Sequence, residues 1–217
     1  CMLKLLNKSG TIIIEVQYLL DTLKDLTFDN IYHEHYNYWS LTSLNNFFNQ
    51  LNSTIFKVER ISTHGGSIRI YIKKGKKIKI ETNVKKLLQE EEIFGIKKYK
   101  TYQDFGEKIN KLKIKLKKNI NELKKNNKKI VGFGAPAKAT TALNFFGISD
   151  EIDFVIEDNK LKQNKFIPGV LIPIKDKKAL REKNILILVL AWNFYNEIKK
   201  NNLDLSDKFI NIKELEK

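Results

Sequence analysis

The feature that most constrains the fold is a regular alternation of strand and helix patterns after residue 128. Short apolar runs that resemble buried strands appear four times, as KIVGF, IDFVIED, ILILVLAW and FINI. Helical segments separate them, as AKATTALNFF, KKALRE and FYNEIKK. Strands that alternate with helices are typical of a parallel sheet covered by helices. We therefore predict an α/β fold for this part of the chain.

The preceding residues have a different pattern. A helix end at residues 3–6 leads to a buried strand, TIIIEV, and a short helix is expected at 19–26. A second helix, SLTSLNNFFNQL, begins at Ser40 or Thr42 and carries one apolar face. Two strands, TIFKVERIS and SIRIYIK, follow and are joined through Gly65 and Gly66, which predicts an antiparallel hairpin.

A polar, lysine-rich stretch between Lys73 and Lys129 separates these two parts. Its second helical segment carries an apolar stripe with heptad-like spacing, formed by Ile109, Leu112, Leu116, Ile120 and Leu123. Such a helix could lie on a membrane surface or on a partner, but a linker helix packed on a domain face is favoured. We place the domain boundary near residue 76, which gives domains 1–75 and 76–217.

Composition limits the possible partners. The net charge is +15, yet all but three of the 40 basic residues are lysines. Because arginine is the better ligand for phosphates and base edges, a solvated lysine surface is favoured over a nucleic-acid site. The longest apolar runs are much shorter than the roughly 20 residues of a membrane helix, so we expect no membrane partner. One cysteine and the lack of a secretion signal suit a cytoplasmic protein.

The densest chemical cluster is YHEHYNYW, which begins at Tyr32. His33, Glu34 and His35 offer a base that works near neutral pH beside a carboxylate that can orient it, and Tyr32 adds a hydroxyl donor. The alternative is a packed aromatic loop whose histidines only satisfy backbone groups. A metal site built from His33, His35 and His64 is disfavoured because the spacing of the two neighbouring histidines is weakly diagnostic.

The second cluster is VGFGAPAK, which lies between a predicted strand and a predicted helix. Gly132 and Gly134 permit a tight turn, and the helix start after Pro136 favours an anion. Glu157 and Asp158, at the end of the next strand, occupy positions where acidic residues of doubly wound folds contact a ribose. The third glycine of the dinucleotide motif is lacking, so backbone packing explains the glycines equally well, and an NAD-dependent oxidoreductase is disfavoured.

In this order, FDNIYHEHYNYWSLTSL, STHGGSIRIY, KKIVGFGAPAKATTALNFFGI, NKFIPG and LAWNF resemble the C-methyltransferases that act on dTDP-linked deoxy-keto-sugars. The resemblance implies the end of a class I methyltransferase Rossmann-like domain, followed by a second Rossmann-like parallel-sheet domain. It also implies S-adenosylmethionine as cofactor, with its main binding loop in a portion of the protein that precedes this chain. Zinc is expected only in an N-terminal module that the chain lacks.

The resemblance also implies residue roles. His35 is the general base, Glu34 orients it, and Tyr32 donates a hydrogen bond to the developing oxyanion. Contacts with the nucleotide-sugar are expected from His64, Gly65, Gly66, Arg69, Gly132, Gly134, Ala135, Lys138 and Asn193. The alternative is a non-catalytic nucleotide-sugar-binding module from a truncated or split gene. Gln17 stands where the family pattern would place proline.

Overall fold

The structure is a computed structural model that describes residues 2–62, 65–125, 129–180 and 184–212. The chain forms two compact units. The first contains Cys1–Thr27 and His35–Glu107, and the second contains Phe28–Glu34 and Lys108–Lys217. The short segment Phe28–Glu34 therefore belongs to the second unit, although the chain on both sides of it belongs to the first.

The first unit is built on a three-stranded antiparallel sheet. Its elements are, in chain order, α1 (Met2–Leu5), β1 (Ile12–Gln17), α2 (Leu19–Lys24), α3 (Leu41–Gln50), β2 (Ser53–Ile61), β3 (Ser67–Lys74) and α4 (Thr82–Phe94). The strand order is β1-β3-β2, and both pairings are antiparallel. The predicted hairpin is confirmed as β2 and β3. The helix α5 (Tyr99–Lys125) begins in this unit and continues into the second.

The core of the first unit lies between its sheet and its helices. Helix α3 begins at Ser40, whose side chain accepts a hydrogen bond from the Ser43 amide at 3.0 Å, as expected for an N-cap residue. The apolar face of α3 is buried in a cluster with the alternate isoleucines of β3, which include Ile68 and Ile70. Side chains alternate between the two faces of a strand, and those three or four residues apart share one face of a helix. The spacing of the apolar residues therefore decides which face of β3 and of α3 is turned to the core.

The second unit is built on a five-stranded parallel sheet. Its elements are β4 (Lys129–Phe133), α6 (Ala137–Phe146), β5 (Val155–Ile156), β6 (Ile174–Lys175), β7 (Ile185–Val189), α7 (Tyr195–Asn201) and β8 (Phe209–Asn211). The strand order is β6-β5-β4-β7-β8. The chain starts at the central strand, moves outward through β5 and β6, and then returns to the other side of β4. This order is that of a Rossmann-like sheet, and the order reverses between β4 and β7.

Both faces of the parallel sheet are buried. Val131, Phe133 and Ile187 belong to a cluster on one face. On the other face, Ile130 lies with Ile120 of α5 around a small cavity. The apolar stripe of α5 is therefore used for packing on a domain face, with Ile109, Leu116 and Ile120 buried.

The structure differs from the sequence expectations in several local features. Segment KKALRE forms only a 3-10 turn at Lys177–Ala179, and residues 181–183 lie outside the described residues. Strand β6 was not expected, because two residues are too few for a periodic signal. Helix α4 packs on β2 and α3, and the two compact units divide within α5. The domain boundary near residue 76 stays a prediction. No helix in the described parts of the chain is long and apolar enough to cross a membrane.

Candidate active site

The YHEH motif begins in the segment Phe28–Glu34, which packs on α6. The 3-10 turn Phe28–Asn30 is buried. The ring of Phe28 lies 4.9 Å from that of Phe145 and 5.2 Å from that of Phe146, between centroids. A bend at Tyr32 and a turn at His33 and Glu34 follow. This apolar anchor holds the start of the motif on α6, within the second unit.

An ion pair also holds the segment Phe28–Glu34 on α6. The Lys138 Nζ atom of α6 lies 4.0 Å from the Asp29 Oδ2 atom, and the Asp29 side chain is only 4% exposed. Lys138 was predicted to contact the substrate, and the structure places it beside this buried carboxylate. The pair therefore joins α6 to the residues just before Tyr32.

The structure brings Tyr32 and Glu34 together. The Tyr32 hydroxyl donates a long hydrogen bond of 3.4 Å to Glu34 Oε2, and the Tyr32 and His33 rings lie 5.8 Å apart. The backbone forms a bend and a turn here and not a strand. His35 follows Glu34 in the chain and is half-buried in the first unit. The division of the two units thus falls inside the motif.

Tyr32, His33 and Glu34 line a cavity of about 540 Å³ in the second unit. This volume lies within the range of small-molecule sites. The opposite walls come from the loop after β4, from α6 and from the NKFIPG loop, and they are formed by Ala135, Ala137, Thr140, Thr141, Leu161, Lys162, Lys165, Phe166, Ile167, Pro168 and Ile174. Three of the motifs that carried the resemblance therefore meet around one cavity.

The walls suit an anionic, hydroxyl-rich ligand. Ala137 is the first residue of α6, a ten-residue helix whose N-terminal end favours negative charge. Thr140 and Thr141 add hydroxyl groups, and Lys165 adds a cation. These cavity residues were not assigned from the sequence. The NKFIPG motif was the only signal that could have indicated Lys165.

The two glycines of GFGAPAK have packing roles. Gly132 is buried within β4, where a Cβ atom would lie 2.8 Å from both Leu190 and Val155 side chains. Gly134 has φ +87°, and a Cβ atom there would lie 2.9 Å from the Ala191 Cβ. Gly134 lines a cavity, whereas Gly132 is not among the residues that line the described cavities. The packing alternative therefore explains Gly132 directly.

A second cavity, of about 370 Å³, lies at the carboxyl ends of β4, β5 and β7. Its walls include Gly134, Ala135, Glu157, Asp158, Lys162, Ala191, Phe194, Glu197, Ile198, Asn201 and Asn202. Glu157 accepts a hydrogen bond from the Ala135 amide at 2.9 Å, so this carboxylate holds the GFGAPAK loop. Asp158 is exposed at the same edge. Asn193 follows Ala191 and Trp192, but its side chain is outside the described residues.

The predicted residues Gly65, Gly66 and Arg69 lie in the first unit. Arg69 donates to Glu15 at 2.8 Å and lies 3.8 Å from Glu59, and hydrogen bonding to Glu15 raises the pKa of Arg69. Gly65 and Gly66 both have positive φ, and the Gly66 carbonyl accepts from the Tyr18 amide. His64 lies outside the described residues. Within the described chain, no three His, Cys, Asp or Glu side chains cluster as a metal site.

Comparison with known proteins identifies the family of the chain. The C-methyltransferase C-terminal domain family matches residues 62–211. C-methyltransferase NovU of Streptomyces niveus is 32% identical over 212 residues, which are 95% of this chain and 50% of NovU. The chain thus spans about half the length of this curated relative. It belongs to the C-methyltransferase family, and most of it is the C-terminal domain of that family.

Proposed function

We propose that the chain is the part of an S-adenosylmethionine-dependent C-methyltransferase that binds a nucleotide-linked keto-sugar and removes a proton beside its keto group. The supporting observation is the cavity of about 540 Å³ that Tyr32 and Glu34 share with the start of α6 and with Lys165. Tyr32, His33 and Glu34 supply acid–base groups to this cavity, and Thr140, Thr141 and Lys165 supply groups that suit a sugar nucleotide. The proposed base, His35, directly follows Glu34 in the chain and is not among the residues that line the cavity.

The chemistry begins with the C–H bond next to the ketone. His35 removes this proton, the C–H electrons move into the carbon–carbon bond, and the negative charge develops on the former keto oxygen. A histidine can act as such a base near neutral pH, and a positioned base contributes about 10²- to 10⁴-fold in rate. The step is balanced, because the carbon loses one proton and the imidazole gains it. The imidazolium later releases this proton to solvent, since in the complete reaction the enolate carbon is methylated and does not take the proton back.

Tyr32 and Glu34 support this step. The Tyr32 hydroxyl is directed at Glu34 by a hydrogen bond of 3.4 Å, which is long enough to be exchanged easily for a bond to an enolate oxygen. A donor at that oxygen stabilises the charge that develops in the transition state. Glu34, next to His35 in the chain, favours the imidazolium that forms when the proton is transferred.

The nucleotide end of the substrate, a dTDP-linked deoxy-keto-sugar in our proposal, is assigned to the second unit. Backbone groups of Gly134 and Ala135 lie at the cavity walls, and Lys165 adds positive charge. In the first unit, Arg69 is held by Glu15. The proposal also includes contacts with the nucleotide-sugar from five further residues, His64, Gly65, Gly66, Arg69 and Asn193.

S-adenosylmethionine supplies the methyl group in this family of reactions. We assign no described residue to that cofactor. The residues of this chain are proposed to act only up to the formation of the enolate. The chain covers 50% of the relative NovU. We propose that a portion corresponding to the rest of NovU carries the cofactor site and is the partner of this chain.

Thermal unfolding with and without dTDP tests the proposal. At a ligand concentration about 100 times the dissociation constant, binding adds about 2.7 kcal/mol, which raises the midpoint by about 5 to 10 °C for a chain of this size. We expect this shift with dTDP and not with NADH. A shift with NADH alone would overturn the proposal in favour of an oxidoreductase.

A cavity variant localises the effect. Thr141 lines the cavity, so Thr141→Phe should remove the additional shift that a dTDP-linked deoxy-keto-sugar gives beyond dTDP, because the new ring fills the space for the sugar. Thr82→Phe, at an exposed position of α4, is the matched control and should retain the additional shift. Equal shifts in both variants would place the sugar elsewhere.

A further inference from the structure

The two cavities of the second unit have a common wall. Ala135 and Lys162 line both the cavity that contains Tyr32 and Glu34 and the cavity at the carboxyl ends of β4 and β7. A ligand longer than either cavity would have to pass these two residues. A nucleotide-sugar is such a ligand, since its diphosphate joins a sugar to a nucleoside.

Lys162 is held at this wall by contacts that can be exchanged. Its Nζ atom donates to the Ala135 carbonyl at 2.9 Å and lies 3.7 Å from Glu157 Oε2. The Lys162 side chain is 43% exposed, so its ion pair is of the partly exposed kind that contributes little to stability. A ligand anion could therefore take over this ammonium group at small cost.

The surrounding turn fixes where the ammonium group can reach. Glu157 accepts from the Ala135 amide at 2.9 Å and from the Asn159 amide at 3.0 Å. Gln163 donates to the Glu157 carbonyl at 2.7 Å, and the Lys162 amide donates to the Asn159 carbonyl. Residues 157–163 therefore form a compact turn that keeps Lys162 beside the GFGAPAK loop.

The groups on the two sides of this wall differ in chemistry. The side with Tyr32 carries the titratable groups of Tyr32, His33 and Glu34. The other side carries Asp158, Asn201 and Asn202, which can bond to hydroxyl groups, together with the apolar Phe194 and Ile198. The carboxylate of Asp158 disfavours phosphate on that side. The hydroxyl-binding groups suit a ribose, and the apolar side chains suit an aromatic base.

We propose that Lys162 is a substrate-binding residue that contacts the diphosphate of the nucleotide-sugar. The keto-sugar then lies beside Tyr32, and the nucleoside lies at the β4 and β7 edge. On binding, Lys162 exchanges the Ala135 carbonyl and Glu157 for phosphate oxygens. This inference rests on the proposed function, because it takes the nucleotide-sugar as the ligand.

Nuclear magnetic resonance titrations of the chain with dTDP and with thymidine test this role. Lys162→Met should weaken dTDP binding about 10- to 100-fold, as expected for the loss of a charge-assisted contact, and leave thymidine within about twofold. Lys162→Arg keeps the charge and should retain most of the dTDP affinity. Lys160→Met is the matched control on the same turn, since Lys160 is exposed and lines neither cavity.

The possible outcomes separate the two proposals. If the unmodified chain does not bind dTDP, the proposed function fails and this inference with it. If it binds dTDP but Lys162→Met binds it equally well, only the role of Lys162 is overturned. Equal weakening of dTDP and thymidine would show that Lys162 supports the Ala135 loop and does not bind phosphate.

Discussion

Tyr18 donates its hydroxyl hydrogen to the Glu91 carboxylate across 2.8 Å, and both side chains are fully shielded from solvent. The same carboxylate accepts from the amides of Leu41 and Thr42, at 2.6 and 2.8 Å. These amides are at the N-terminal end of α3, where negative charge is favourable. Glu91 of α4 therefore joins the start of α2 to the start of α3, the helix that follows the YHEH motif.

Removing this carboxylate should destabilise the first unit. Glu91→Ala leaves two buried donors and one partly buried donor without their acceptor, and we expect a loss of about 3 kcal/mol or more in the free energy of unfolding. Urea unfolding measures it. Glu92→Ala, on the exposed side of the same helix, should cost less than about 0.5 kcal/mol. Similar values for the two variants would show that the Glu91 contacts carry little stability.

Stability should also fall at alkaline pH because of Tyr18. Burial, followed by the charge of Glu91, raises the pKa of Tyr18 well above its usual value of about 10. Above that pH the unfolded chain loses the proton while the folded chain retains it, so stability decreases by up to about 1.4 kcal/mol per pH unit. Tyr18→Phe should remove this component. Identical pH slopes for both proteins, measured by urea unfolding between pH 9 and 11, would contradict it.

Gly66 and Gly75 form a matched pair for testing the hairpin. Both have positive φ, but a Cβ atom at Gly66 would overlap the buried Asp21 side chain, whereas Gly75 has open space. Asp21 also forms an ion pair with Arg60. We expect Gly75→Ala to cost about 1 kcal/mol through strain alone and Gly66→Ala to cost at least 2 kcal/mol more. Equal losses in thermal unfolding would argue against the Asp21 contact.

Lys138 and Asp29 should hold the start of the YHEH motif. Replacing either residue, as Lys138→Met or Asp29→Asn, should speed amide hydrogen exchange in residues 28–34. In the double variant, the loss in the free energy of unfolding should be about 1 kcal/mol smaller than the sum of the losses in the two single variants. Lys111→Met, at an exposed position of α5, is the control and should leave the exchange unchanged. Additive losses would indicate that the two charges do not interact.

The strand and helix periodicity predicted most of the architecture. KIVGF became the central strand β4, AKATTALNFF became α6, and the glycine-linked hairpin formed as expected. These elements depend on local pattern, which the sequence carries. The two-residue β6 and the short turn after it depend on pairing with β5 and could not be recognised by period.

The site was only partly predictable. The YHEH and GFGAPAK motifs were identified, and the structure places Tyr32 and Ala135 around one cavity. The contact of Phe28 with Phe145 joins residues more than 100 positions apart, and no local pattern indicates such a pairing. Glu157 was expected to meet a ribose, but its carboxylate bonds to the Ala135 amide, a partner that only the folded sheet brings near.

The most direct test of the central claim is deuterium uptake at the carbon beside the keto group of a dTDP-linked deoxy-keto-sugar, which requires no methyl donor. Followed by proton magnetic resonance in D₂O, the chain should exchange this hydrogen, and His35→Asn should slow it at least about 100-fold. Tyr36→Phe, at an exposed position of the same segment, should exchange normally. Binding of the sugar nucleotide without any exchange, or normal exchange by His35→Asn, would contradict the account.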